Sequence, residues 1–131
     1  MHAEKIIIPD SSALDYQIAL VGNPNVGKSV LFGLFTGKYV TVSNYPGTTV
    51  EVTRGMYAGS NDTIEVVDTP GANSLISHSE DERVARDILL RDEEKRVIQI
   101  LDAKNIHRGL LITTQLAEMG LPISIGLNMW D

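Results

Sequence analysis

Apolar positions along the chain follow two spacings, which predict alternating strands and helices. A continuous apolar run, Ile18-Ala19-Leu20-Val21, lies within 16–21 and predicts a central parallel strand covered on both faces. Apolar residues recur at helical spacing from 29 to 35, predicting a helix over 27–36 closed by Gly37 as its C-cap. Residues 38–49 carry the turn signal Pro46-Gly47 and read as a loop. Val50, Val52 and Met56 alternate with polar neighbours, so 50–58 reads as an edge strand, followed by a hairpin turn at 59–62 and a strand at 63–67. Residues 72–79 are polar and irregular.

Over 80–91 an apolar stripe of Val84, Ala85, Ile88 and Leu89 predicts a helix opened by acidic residues, as its dipole favours. Glu82 with Arg86, and Asp87 with Arg91, stand four apart and read as surface pairs of that helix. A strand at 96–101, a helix at 105–119 stopped by Gly120 and Pro122, and a strand at 123–127 complete the order. Residues 1–15 precede the first core strand; 5–8 has strand character that Pro9 breaks, so this stretch reads as a tail. The element order predicts an α/β fold: a mainly parallel sheet with helices on both faces and one antiparallel edge strand.

At 131 residues the chain is one domain, with 43% apolar and 21% charged residues, ordinary for a globular protein. A net charge of −6 with no basic stripe argues against a nucleic-acid face. Without cysteine there are no disulfides, thiolate metal sites or thiol nucleophiles. His2, His78 and His107 are scattered, without metal-ligand spacing. No apolar run approaches the ~18 residues of a membrane span, and the N-terminus lacks signal-peptide character, so the expected compartment is the cytoplasm.

The chemistry is concentrated in Gly22-Asn23-Pro24-Asn25-Val26-Gly27-Lys28-Ser29, which fits G-x-x-x-x-G-K-[ST] without mismatch between a predicted strand and a predicted helix. Glycines there let the backbone wrap a phosphate, and successive amides with the helix N-terminus form an anion site. Lys28 would reach the outer phosphates and Ser29 would hold Mg²⁺. Three further signals fall at strand C-terminal ends, where open α/β sheets bind ligands. Asp68, in Asp68-Thr69-Pro70-Gly71, is placed to hold Mg²⁺, and Gly71 offers an amide to a terminal phosphate. Thr49, at the end of the long loop, could bind Mg²⁺ and sense that phosphate, with Thr48 a bystander. Asn128 and Asp131 form Asn-x-x-Asp after the last strand. An Asp carboxylate there accepts two bonds from a guanine edge, which adenine cannot offer.

Together these motifs resemble a translation-factor-type GTPase, and more closely the cytosolic G domain of the ferrous iron transport protein B (FeoB) family. The stretches 42–51, 101–106 and 115–122 add to the likeness, as does Met129 where most GTPases carry lysine after the specificity Asn. The resemblance covers 16–131 and implies a three-layer P-loop NTPase fold binding GTP or GDP with Mg²⁺. It implies that Gly22, Asn23, Pro24, Asn25, Val26, Gly27, Lys28, Ser29, Val30, Thr49, Asp68, Gly71, Asn128, Met129 and Asp131 bind the nucleotide. Ser29, Thr49 and Asp68 would hold Mg²⁺, and Lys28, Thr49 and Gly71 would assist hydrolysis. Asn25 matches the residue that coordinates K⁺ in potassium-activated relatives, where the cation offsets charge as the phosphoryl group leaves.

Two departures shape the expectation. Ala72 follows the Asp-x-x-Gly motif where a water-orienting glutamine could stand, so hydrolysis should be slow. The chain also stops at Asp131, which predicts a G domain over 16–131 lacking its last strand and helices, with 123–127 as an exposed apolar edge able to self-associate. The reading is a GTP-binding switch of a FeoB-type transporter, at the cytoplasmic face of a bacterial inner membrane and partnered with the parent's membrane part. The alternatives are a soluble ribosome-assembly or tRNA-modification GTPase, or a nucleotide-binding module without turnover.

Overall fold

The computed structural model describes residues 16–59, 63–76, 78–91 and 93–128. Their elements run β1 (Tyr16–Gly22), α1 (Lys28–Phe35), β2 (Thr36–Asn44), β3 (Glu51–Tyr57), β4 (Ile64–Asp68), α2 (Glu80–Leu90), β5 (Lys95–Asp102), α3 (His107–Met119) and β6 (Ile123–Asn128). Six strands form one sheet in the order β2-β3-β4-β1-β5-β6. β4, β1, β5 and β6 pair in parallel, whereas β3 is antiparallel to both β4 and β2.

The apolar run in β1 serves both faces of the sheet. Ile18 and Leu20 pack with Val26, Phe32, Ile64 and Val66 on the α1 side. Ala19 and Val21 pack with Ala85, Leu89, Ile112 and Leu116 on the side of α2 and α3. A third cluster joins Tyr45, Val50, Val52 and Val67 to Val84 and Ile88 of α2. Gly109 brings α3 close to β5, since a Cβ there would lie 2.1 Å from Leu101 Cδ2. Buried Gln99 secures that approach by donating to the Gly109 carbonyl (2.8 Å) and accepting from Thr113 (2.7 Å).

Three expectations shift. The helix ends at Phe35, and Thr36 closes it in extended conformation, with its amide and hydroxyl both on the Phe32 carbonyl. Gly37 is therefore a β2 residue, not a C-cap. Most of the expected loop at 38–49 is strand: β2 runs to Asn44, and only 45–50 forms the tip of a β2–β3 hairpin. The strand expected at the edge, β3, is consequently one place in, covered by β2. Val40 and Val42 of β2 are exposed, so this strand exists through pairing rather than burial. The expected turn at 59–62 lies largely outside the described residues. Among the described residues β6 forms the other end of the sheet, with Ile125 and Leu127 about half exposed. Among the described residues no helix is long and apolar enough to cross a membrane.

Candidate functional site: a phosphate loop between β1 and α1

The loop from Gly22 to Lys28 adopts a backbone that most residues avoid. Asn25 (φ 66°) and Gly27 (φ 95°) are both left-handed, and such alternation turns successive amides toward one concave face. Glycine is required twice for space as well. A Cβ on Gly22 would lie 2.8 Å from the Ile100 carbonyl, and one on Gly27 would lie 2.3 Å from Asn128 Nδ2. Of the three described helices, α1 and α3 have no side-chain cap. α2 is capped by Ser79, which accepts from the Glu82 amide (3.2 Å). α1 begins after Gly27 with no side-chain cap, an arrangement that leaves its first-turn donors available to an anion.

The surrounding loops are stitched to this one. Asn128 at the end of β6 donates from Nδ2 to the Val26 carbonyl (2.8 Å), joining the two ends of the motif set. Buried Asn23 donates to the Ala72 carbonyl (3.1 Å) and to Asn73 Oδ1 (3.3 Å), and the Ala72 amide returns to Gly22 (3.0 Å). Thr69 donates its hydroxyl to the Leu20 carbonyl (2.7 Å). Gly71 lies against Pro24, where a Cβ would come within 2.9 Å of Pro24 Cα. These ties spend the side chain of Asn23 on the scaffold. Val30, in the first turn of α1, is 63% exposed.

Charge meets at the mouth of the loop: Lys28 Nζ stands 3.3 Å from Asp68 Oδ1, an oxygen that is buried and has no hydrogen bond. An ammonium and a carboxylate facing each other beside free helix donors suit a polyphosphate and a hard divalent cation. Ser29, exposed in the first turn of α1, offers the other oxygen that could hold Mg²⁺ with Asp68. Thr49 lies elsewhere: its hydroxyl donates to Glu80 Oε1 of α2 at 3.4 Å. Thr48 closes the local turn through its hydroxyl on the Tyr45 carbonyl (2.9 Å). Ala72 is buried in the core. Met129 and Asp131 lie outside the described residues.

Two groups of this region escape sequence reasoning. Burial alone would raise the Glu82 carboxyl, but backbone N–H groups of Asn73, His78 and Ser74 outweigh it and hold the group below the usual carboxylate range. Those bonds run from Asn73 (3.1 Å), Ser74 (3.2 Å) and His78 (3.2 Å), fastening the segment after Gly71. Gln115 of α3 grips the same segment, accepting from the Leu75 amide (2.7 Å) and donating to Ser74 Oγ (3.0 Å). The expected helix-surface pairs dissolve accordingly. Glu82 serves backbone, while Asp87 and Arg91 both turn to the Tyr45 hydroxyl. Ser79-x-x-Glu82 has a capping-box spacing, a signal that could have pointed to a backbone role for Glu82.

A left-handed glycine loop joining the first strand to the first helix of a parallel sheet, with a lysine facing a carboxylate on the neighbouring strand, defines a P-loop NTPase. The motif order makes it one of the G-domain type. The family model described as "Ferrous iron transport protein B" matches residues 16–131, and the chain belongs to that family as its G domain. It is 46% identical over 105 residues to the Fe(2+) transporter FeoB of Methanocaldococcus jannaschii, covering 80% of this chain and 16% of that protein. It is 39% identical over 118 residues to the Escherichia coli (strain K12) transporter of the same name, covering 87% and 15%. Among solved structures, a GDP-bound S. thermophilus NFeoB variant superposes with a TM-score of 0.81 at 45% identity, covering 87% of this chain and 44% of that one. The G domain of the T. maritima FeoB iron transporter gives 0.79 at 38%, covering 86% and 70%. The chain thus spans about a sixth of the length of these curated relatives.

Proposed function

We propose that this chain is the GTP-binding, slowly hydrolysing switch domain of a FeoB-type ferrous iron transporter. The observation that carries the reading is the loop itself: uncapped α1 donors, a left-handed Gly27 that admits no side chain, and Lys28 opposed to Asp68. The GDP bound in the S. thermophilus relative supports a guanine nucleotide here. In this account the amides of 25–29 and Lys28 hold the phosphates. Ser29, Asp68 and Thr49 are the residues that would hold Mg²⁺, whose charge would offset that of the phosphates. Gly71 donates its amide to the terminal phosphate, and Asn25 is the residue that would take K⁺. Asp131 selects guanine, with Met129 beside it, while Asn128 braces the loop through Val26. Slow turnover follows from Ala72, whose buried methyl leaves that position without a group to orient water.

Thr49 must leave Glu80 to meet a terminal phosphate. The 3.4 Å contact is at the long limit of a hydrogen bond, so exchanging it for phosphate costs little. Nucleotide state would thereby move the hairpin tip, and the membrane part of the parent at the cytoplasmic face of the inner membrane would read that movement. The half-exposed β6 edge would support self-association wherever nothing else covers it.

Labelled GTP and ATP titrated at matched Mg²⁺ test the assignment: GTP should bind far more tightly, and equal affinities would undo the guanine reading. Phosphate release followed in K⁺ and in Na⁺ tests turnover, with slow release faster in K⁺ expected. No release in either salt would leave a binding module without turnover.

A further inference from the structure

We propose that Tyr45 is a positioning residue: its ring and hydroxyl, held by α2, set where the hairpin tip presents Thr49 to a terminal phosphate. This rests on the role given to Thr49 above. The tip, 45–50, is a small rigid body. Tyr45 and Thr48 close a turn through the Thr48 amide on the Tyr45 carbonyl (2.9 Å), with Gly47 at φ 78° in its third position. The Tyr45 amide donates to the Val50 carbonyl (2.8 Å), and the Val50 amide to Thr48 Oγ1 (3.0 Å). Six residues thus move together, and Thr49 has no independent reach.

On its β3 side this body is held by Val50, buried with Tyr45 against Val84 and Ile88 of α2; on its β2 side Tyr45 orients it. β2 pairs only with β3 and exposes Val40 and Val42, so burial does not fix the arm that carries the tip. Tyr45, 7% exposed, drives its ring among Val84 and Ile88 of α2. Its hydroxyl donates to Asp87 and accepts from Arg91 (2.9 Å), residues one helical turn apart. The Arg91 guanidinium also lies 5.6 Å from the ring centroid. Two bonds to charged partners outweigh the single 3.4 Å contact of Thr49 with Glu80, so this tie outlasts it. The tip can release Glu80 and still pivot on Tyr45, which confines Thr49 to a short arc instead of a free search. α2 also carries Glu82, which holds the segment after Gly71, so the same helix registers both phosphate-sensing loops.

Titrations of the whole chain with a non-hydrolysable GTP analogue and with GDP, both at saturating Mg²⁺, test this. Tyr45→Phe keeps the ring and removes the tie. It should weaken the analogue about fivefold while leaving GDP within about twofold, since only the analogue has a terminal phosphate for Thr49. Asp87→Ala should do the same, and Asp87→Asn, which retains an accepting oxygen, should behave as the parent chain. Should Tyr45→Phe fail to fold, the exposed Asp87 pair carries the comparison. Unchanged analogue affinity in Tyr45→Phe and Asp87→Ala, or an equal loss for GDP, overturns the role of Tyr45. Failure of the unaltered chain to prefer guanine nucleotides removes instead the reading on which it rests.

Discussion

Glu82→Gln is a demanding test because the substitution is nearly isosteric yet reverses a donor–acceptor pattern. Both carboxylate oxygens accept: Oε2 from the amides of Asn73 and Ser74, and Oε1 from that of His78. Glutamine offers one oxygen and one NH₂, so an N–H must face an N–H in either rotamer. The cheaper choice keeps the oxygen on Asn73 and buried Ser74 and abandons the amide of exposed His78, which water can reach. The two surviving bonds then become neutral and weaken by roughly half from about 1.5–3 kcal/mol each. With the third bond lost to water, the expected destabilisation is about 2–3 kcal/mol, a large share of the ~5–15 kcal/mol that holds a domain together. Urea denaturation followed by circular dichroism should show a lower midpoint at unchanged slope.

The pH dependence carries the sign. The Glu82 carboxyl is held below its unfolded value, so its contribution is fully present above the unfolded pKa of about 4.3 and lost as pH falls through the folded value. The unaltered chain should therefore lose stability more steeply in acid than Glu82→Gln, and the two should converge at low pH. A variant within about 0.5 kcal/mol of the parent at neutral pH, with the same acid profile, would refute the claim that this carboxylate fastens the 73–78 segment.

Two glycines should answer oppositely to alanine. Gly27→Ala forces a side chain into φ 95° and against Asn128, so stability should fall by about 1–3 kcal/mol in a thermal melt and nucleotide affinity with it. Gly33→Ala, in α1 with open space around its Cβ, should raise stability by about 0.5–1 kcal/mol in the same melt. Lys28→Ala removes a charge-assisted bond to phosphate and should weaken GDP about 10- to 100-fold by fluorescence titration, and its melt without nucleotide should also fall, because Asp68 Oδ1 loses its counter-charge.

The parallel core was legible because its signals are local. β1 is continuously apolar since both of its faces are covered, and the phosphate loop carries its glycines where the backbone turns left-handed or lacks room. β2 was not legible because Val40 and Val42 are exposed, and pairing with β3 makes it a strand. The same limit hid the polar ties. Asp87 and Arg91 stand four apart like a surface pair, but Tyr45, 42 residues before Asp87, takes both. Gln115 meets Leu75 across 40 residues and Asn128 meets Val26 across 102. Residue type and spacing predict which groups bear chemistry. Which of them are diverted to brace the scaffold, as Asn23 is, depends on approaches that no local pattern encodes.

Amide chemical shifts recorded during a GDP titration of ¹⁵N-labelled protein address the phosphate grip most directly. The backbone amides of Asn25 to Ser29 should move first and furthest, saturating together with the binding isotherm. GDP that binds with those amides unmoved, or that moves residues remote from the β1–α1 loop instead, would contradict the account.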